Sequence, residues 1–148
     1  MKRREAMAGS GAFLLAAVST AVMAQGKDAH HDHSQMHGSA YGALIAATAD
    51  CVVKGQECFA HCLVLLADGD KTMGSCAKAV NQMLAACGAL QNLAAQQSTL
   101  TPAMAKVALE ACQLCEKECR KHEKRHAECK ACMESCLNCI KQCKAVAV

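Results

Sequence analysis

The segment from Cys129 to Cys143, CKACMESCLNCIKQC, places five cysteines at successive spacings of three, four, three and four residues. On an α-helix these side chains fall within an arc of roughly 80°, because successive residues are about 100° apart. Most residues between them are polar, and the segment contains neither Gly nor Pro. The pattern therefore predicts an amphipathic helix whose buried face is made of thiols in place of aliphatic side chains.

The other cysteines follow the same rule on three further segments. Each set shares one helical stripe: Cys51, Cys58 and Cys62; Cys76 and Cys87; and Cys112, Cys115 and Cys119. A chain in which every cysteine lies on the inward face of a helix predicts a core lined with thiols along its length.

Four helical segments are predicted to carry these stripes. They span about residues 40–67, 72–96, 102–123 and 128–145, with Thr72 and Thr101 as N-caps and turns at 68–70, 97–101 and between the last two helices. Short connections place consecutive helices side by side. The sequence thus predicts an all-α fold, an antiparallel four-helix bundle over residues 40–148 with a cysteine-lined core.

The N-terminal residues have a different composition. Residues 1–24 combine a basic start with a mildly apolar run and small residues before Gln25, which predicts an export signal and a periplasmic location. The Arg3-Arg4 pair favours the twin-arginine route, with general secretion as the alternative. Residues 25–39, QGKDAHHDHSQMHGS, are predicted to form a flexible His-rich leader. No other segment is apolar and long enough to span a membrane.

Charge and composition exclude several functions. Without residues 1–24, the chain keeps 13 basic and 12 acidic side chains. This balance leaves almost no excess of positive charge to bind the phosphates of a nucleic acid. No nucleophile–base pair and no open metal site can be recognised, so the chain is not predicted to be an enzyme.

The thiols can form disulfides or bind soft metal ions. Zinc usually takes four ligands from turns, and iron–sulfur clusters take cysteines from loops. Cu(I) accepts two thiolates that span about 4.5 Å, which residues i and i+4 of a helix can reach. One Cu(I) per thiolate also neutralises the core. The sequence therefore favours storage of multiple Cu(I) ions. A disulfide-rich structural or thiol redox protein, and a detoxification sponge for Cu(I) or Zn(II), remain alternatives.

Inward C-x-x-x-C and C-x-x-C repeats on four helices, after an export signal, resemble the copper storage proteins. The resemblance covers residues 41–148 and implies a bundle filled with Cu(I) and assembled as a homotetramer. It also implies, for the exported type found in methane-oxidising bacteria, supply of copper to particulate methane monooxygenase. The ligands it implies are the thirteen cysteines: Cys51, Cys58, Cys62, Cys76, Cys87, Cys112, Cys115, Cys119, Cys129, Cys132, Cys136, Cys139 and Cys143.

Two further residues are predicted to bind copper at one end of the bundle. His61 flanks the first stripe and Met73 follows the first turn, so both can add a ligand there. His61 can instead pair with Asp68 in solvent, and Met73 can instead pack at the end of the bundle. Met83 lies on a thiol stripe, but its expected role is packing. His122 and His126 are expected in a solvated turn, and the leader histidines in a tail without a fixed structure.

Overall fold

The computed structural model describes residues 40–147. The predicted export signal and His-rich leader lie outside these residues. Four α-helices occupy most of the described chain: α1 at Gly42–Ala67, α2 at Gly74–Ala95, α3 at Thr101–Arg120 and α4 at Ala127–Val146. A 3₁₀ turn at Lys71–Met73 precedes α2. Residues 40–147 contain no strand, and the all-α prediction is confirmed.

Each helix packs against two neighbours in a closed ring. α1 contacts α2 and α4, and α3 contacts the same two helices. Because consecutive helices are joined by short loops, their directions alternate up and down around the ring. The predicted antiparallel four-helix bundle is therefore confirmed. No described helix is both long and apolar enough to cross a membrane.

Backbone hydrogen bonds end the first two helices. After α1, Gly69 adopts φ +93° and donates its N–H to the Leu66 carbonyl at 3.1 Å. After α2, Gln97 takes the left-handed conformation with φ 51° and donates to the Ala94 carbonyl at 3.0 Å. Both ends satisfy carbonyls that the helix leaves free, in the manner of αL-type C-caps.

Two predicted N-caps and one predicted helix end are wrong. Asp70, not Thr72, caps the next turn, because its carboxylate accepts the Thr72 N–H at 3.0 Å and draws the chain into the 3₁₀ turn. Thr101 is the first residue of α3, after Leu100 at the N-cap. α3 ends at Arg120, short of residue 123, because the Lys121 and His122 N–H groups bond back to carbonyls three residues earlier and tighten the chain into a turn.

The core changes composition along the bundle. The end at which α1 begins is closed by buried small and aliphatic side chains, among them Leu44, Ala47, Leu90, Ala94 and Ala105. From there to the other end the core consists mainly of thiols. Apolar side chains therefore close one end of the thiol core, and the turns after α1 and α3 lie at the other end.

Candidate metal centre

All thirteen cysteines point into the bundle, and each has no solvent-exposed area. Helices α1 to α4 contribute three, two, three and five of them. This arrangement follows from the spacing of three and four residues, which keeps each stripe on the face turned toward the neighbouring helices. The prediction of a core lined with thiols is confirmed.

The shortest distances between sulfurs join different helices. Cys87 and Cys112 Sγ are 3.4 Å apart, and Cys76 and Cys119 Sγ are 3.6 Å apart. Sulfurs one turn apart on one helix are farther away, with 3.9 Å between Cys115 and Cys119. The C-x-x-x-C pairs expected to bind copper within a helix are thus close together, but each also faces sulfurs of other helices.

The sulfurs group into four sets, in each of which all atoms lie within 4.8 Å of one another. Two sets have four members and two have three: Cys51, Cys87, Cys112 and Cys139; Cys58, Cys62, Cys76 and Cys129; Cys58, Cys119 and Cys132; and Cys115, Cys132 and Cys136. Cys143 joins the first set through Cys139, at 3.9 Å. The sets share members or lie in contact, since Cys51 is 3.7 Å from Cys136. The thirteen sulfurs therefore form a continuous chain of possible sites.

These spacings suit a small ion with sulfur ligands. With metal–sulfur bonds of about 2.3 Å, sulfurs lie about 4.0 Å apart around a three-coordinate ion and about 4.6 Å apart across a two-coordinate one. The observed distances of 3.4 to 3.9 Å are slightly shorter. Side-chain adjustments of under about 1 Å would open such sites without moving the helices.

No charged group inside the bundle balances the thiols. Among residues 40–147, the buried polar side chains are Thr48, Thr101, His122 and Ser135, and none is a Lys, Arg, Asp or Glu. Thirteen buried thiolates would repel one another at a prohibitive cost in free energy. The thiols must therefore be protonated unless positive ions enter the core.

Neighbouring thiols also shift one another's pKa. The pKa of Cys51 is lowered, first by hydrogen bonding with Cys112, against the effect of burial. The pKa of Cys58 is raised by hydrogen bonding with Cys119 and further by burial. The pKa of Cys136 is raised in the same way, first through Cys112. Hydrogen bonds between thiols therefore shift their pKa values in opposite directions.

All thirteen cysteines are free thiols in this structure. Their closest approach, 3.4 Å, is far longer than the S–S bond of about 2.05 Å in a disulfide. The fold is held by helix packing and needs no cross-link to bring its segments together.

Three polar side chains gather where α1 meets the turn before α4. His61 Nε2 lies 2.9 Å from His126 Nδ1 and 3.7 Å from a Glu128 carboxylate oxygen. His126 Nε2 is buried and has no hydrogen-bond partner among the described residues. Burial first, and then the neighbouring His61, lower the pKa of His126. His61 therefore pairs with His126 and Glu128, and the alternative of a pair with Asp68 is not observed.

The two turn histidines are less exposed than expected. His122 is 8% exposed, and its ring centroid lies 6.3 Å from that of His126. The prediction that they lie in a turn is confirmed; the expected exposure is wrong for His122, whereas His126 is half-buried and Lys121, Lys124 and Arg125 of this turn are exposed. The His126 ring contacts His61 of α1, a tertiary contact that the many charged neighbours in the sequence obscured.

The structure places the two methionine candidates differently. Met73 is fully buried in the 3₁₀ turn, which packs against α1 and α2. Met83, expected only to pack, lies inside the thiol core, with its Sδ 3.3 Å from Cys51 Sγ. The sequence contained a signal for this contact, because Met83 shares a stripe with Cys76 and Cys87, but the stripe does not show which sulfur it meets.

The chain is similar to known copper storage proteins. A family model described as copper storage protein matches residues 36–148. The Cu(I)-bound copper storage protein BsCsp3 has a similar fold, with a TM-score of 0.65 and 24% identity over 73% of this chain and 98% of that chain. Apo copper storage protein 3 from Bacillus subtilis gives a TM-score of 0.64 and 26% identity over 73% of this chain and 99% of that chain. A comparison with curated protein sequences found no match.

Proposed function

This chain belongs to the copper storage protein family, and we propose that it stores multiple Cu(I) ions, about one per thiol, inside its bundle. This family stores metal and does not catalyse reactions, and the chain is not an enzyme. One observation supports the proposal most strongly: thirteen fully buried thiols form a continuous chain of sets, with no buried cation among the described residues to balance their charge.

Charge and softness favour Cu(I) as the stored ion. Each Cu(I) that replaces a thiol proton leaves the core neutral, so every cysteine can take part at once. Sulfur is also a soft ligand that Cu(I) prefers. A relative of similar fold, BsCsp3, is known in a Cu(I)-bound form. Storage explains all thirteen thiols, whereas a chaperone that carries one ion would need two or three.

Zn(II) is the second candidate, because two of the sets contain four cysteines each. Cys51, Cys87, Cys112 and Cys139 form one, and Cys58, Cys62, Cys76 and Cys129 form the other. Four thiolates around one ion are the usual structural zinc site. Two such sites would leave five cysteines without a role, and each would carry a net charge of −2 into the core.

Anaerobic titration of the reduced protein tests the proposal. We expect Cu(I) uptake to continue to about 13 equivalents, because each thiol contributes one neutralising site. Zn(II) should saturate near two equivalents and be displaced by Cu(I). Saturation with Cu(I) at one to three equivalents would contradict storage. If the protein before reduction is lighter than the reduced protein by about 2 Da for each pair of cysteines, the disulfide or redox alternative is supported instead.

We further propose that the protein is exported to the periplasm and supplies copper to a copper enzyme such as particulate methane monooxygenase. Support for export comes from residues 1–24, with their basic start, apolar run and small residues before Gln25. The family match begins only at residue 36, after this segment. Fractionation of cells that express the full chain tests export, and replacement of Arg3 and Arg4 by Lys tests the twin-arginine route.

Supply to a client and assembly as a homotetramer rest on the resemblance to exported copper storage proteins. Incubation with the copper-loaded protein should restore the activity of copper-depleted particulate methane monooxygenase, and incubation with an equal amount of the apo protein should not. Sedimentation equilibrium measures the oligomeric state, and a mass of one chain would contradict the tetramer.

A further inference from the structure

We propose that the Met83 thioether is a copper ligand in the set around Cys51, and that Gly55 holds it in position. This inference rests on the proposed storage of Cu(I), and it adds a neutral sulfur to a site otherwise made of thiols.

The position of the Met83 sulfur carries the proposal. Its Sδ is 3.3 Å from Cys51 Sγ, shorter than every distance between two cysteine sulfurs given above. Met83 has no exposed area, and neither does Cys51. In the metal-free protein the Cys51 S–H donates to this sulfur, so a lone pair of the thioether already faces the position of the thiol proton. Cu(I) takes the place of that proton when it binds.

Gly55 explains why the thioether points inward. It is buried on the same face of α1 as Cys51 and Cys58. A Cβ atom at Gly55 would lie 2.5 Å from the Met83 methyl and 2.8 Å from Leu84 Cδ2. The space left by the missing side chain therefore holds the methyl group of Met83. With the methyl held against α1, the sulfur is directed to Cys51.

The chemistry of a thioether suits this place. Cys51 faces Cys136 at 3.7 Å as well as Met83, so three sulfurs of α1, α2 and α4 converge there. A thioether is soft and carries no charge. It can complete the coordination of one Cu(I) without adding a negative charge to a core that already contains one thiolate per ion. The number of ions stored should therefore not depend on Met83, but the environment of one ion should.

Selenomethionine provides a direct probe, because selenium absorption spectroscopy detects copper bound to selenium. We compare the copper-loaded, selenomethionine-labelled wild type with Met83→Leu, Met73→Leu and Met133→Leu. Leu keeps most of the volume of Met and loses the sulfur. Met133 is a buried control on α4, and Met73 is the other candidate ligand. Copper content is measured on the same samples, and circular dichroism verifies the fold.

We expect a selenium–copper signal in the wild type that persists in Met133→Leu and falls in Met83→Leu, while these three proteins hold the same number of copper ions. Gly55→Ala keeps every sulfur but fills the space of the Met83 methyl, and should also reduce the signal. A signal that is unchanged in Met83→Leu, or absent from fully loaded wild type, would overturn the proposal while leaving copper storage intact. A wild type that binds few ions would overturn both.

Discussion

Replacement of Cys132 by Ser should weaken more than one site, because Cys132 belongs to two of the four sulfur sets. One set joins it to Cys58 and Cys119, and the other joins it to Cys115 and Cys136. A hydroxyl keeps nearly the same shape but is a poor ligand for a soft ion. In Cys132→Ser, two groups of three sulfurs therefore become groups of two.

The magnitude follows from charge and from this membership. Loss of one thiolate removes one neutralising charge, so capacity should fall by about one ion, from about 13 to about 12. About two of the remaining ions lose a third ligand, and we expect each to bind roughly tenfold more weakly, about 1.4 kcal/mol. Cys143→Ser is the matched control. Cys143 lies at the edge of the network and contacts Cys139 at 3.9 Å, so its loss should also cost about one ion and weaken few others.

The assay is anaerobic loading followed by competition with a chromophoric Cu(I) chelator. Total copper gives the capacity, and the fraction removed by moderate chelator gives the weakly bound class. This class should be larger in Cys132→Ser than in Cys143→Ser by about two ions. Equal weakly bound fractions would refute the assignment of Cys132 to two sets. Loss of most of the copper in Cys132→Ser would show that the ions assemble as one cooperative cluster.

Four further outcomes test the fold and the state of the thiols. The metal-free protein should already be strongly helical by circular dichroism, because α1 to α4 pack through a core that neutral thiols fill; a coil that folds on adding copper would contradict this. Copper uptake should release close to one proton per ion near pH 7, because the pKa of thiols such as Cys58 and Cys136 is raised. Calorimetry in buffers of different ionisation enthalpy measures this release. Uptake without proton release would show that the cysteines are already thiolates before copper binds. For the same reason, the free energy of unfolding of the metal-free protein should be highest below the ordinary thiol pKa of about 9 and should fall as the pH rises above it. Thermal unfolding measures this, and a protein that becomes more stable above that pH would contradict the assigned pKa shifts. Gly88→Ala should raise the free energy of unfolding by roughly 0.5–1 kcal/mol, because nothing lies within 4 Å of the new Cβ. Gly55→Ala should lower it by about 1 kcal/mol, because the new Cβ meets Met83 and Leu84. Equal effects of the two substitutions in chemical denaturation would show that Gly55 is not crowded.

The sequence predicted the helices and the buried faces because cysteine spacing reports directly on helical periodicity. Cys129, Cys132 and Cys136 could be assigned to one stripe from their positions alone, and the structure buries all three. The turn before α4 was also predictable, because the cysteine phase shifts by one residue there.

Contacts between helices could not be predicted in this way. The stripes show which residues face inward, but the axial offset of neighbouring helices decides that Cys87 meets Cys112 and that Cys51 meets Met83. The pairing of His61 with His126 likewise depends on how the last turn folds back over α1. A local pattern contains no information on such offsets, and the expected pairing of sulfurs within single helices was therefore incomplete.

Native mass spectrometry of the reduced, Cu(I)-loaded protein tests the central claim most directly, because it counts ions on each chain. Storage predicts a distribution centred near 13 copper ions per chain, with every thiol reduced after the copper is removed. A chain that holds one to three ions, or one whose mass shows that its cysteines are joined as disulfides, would contradict the account.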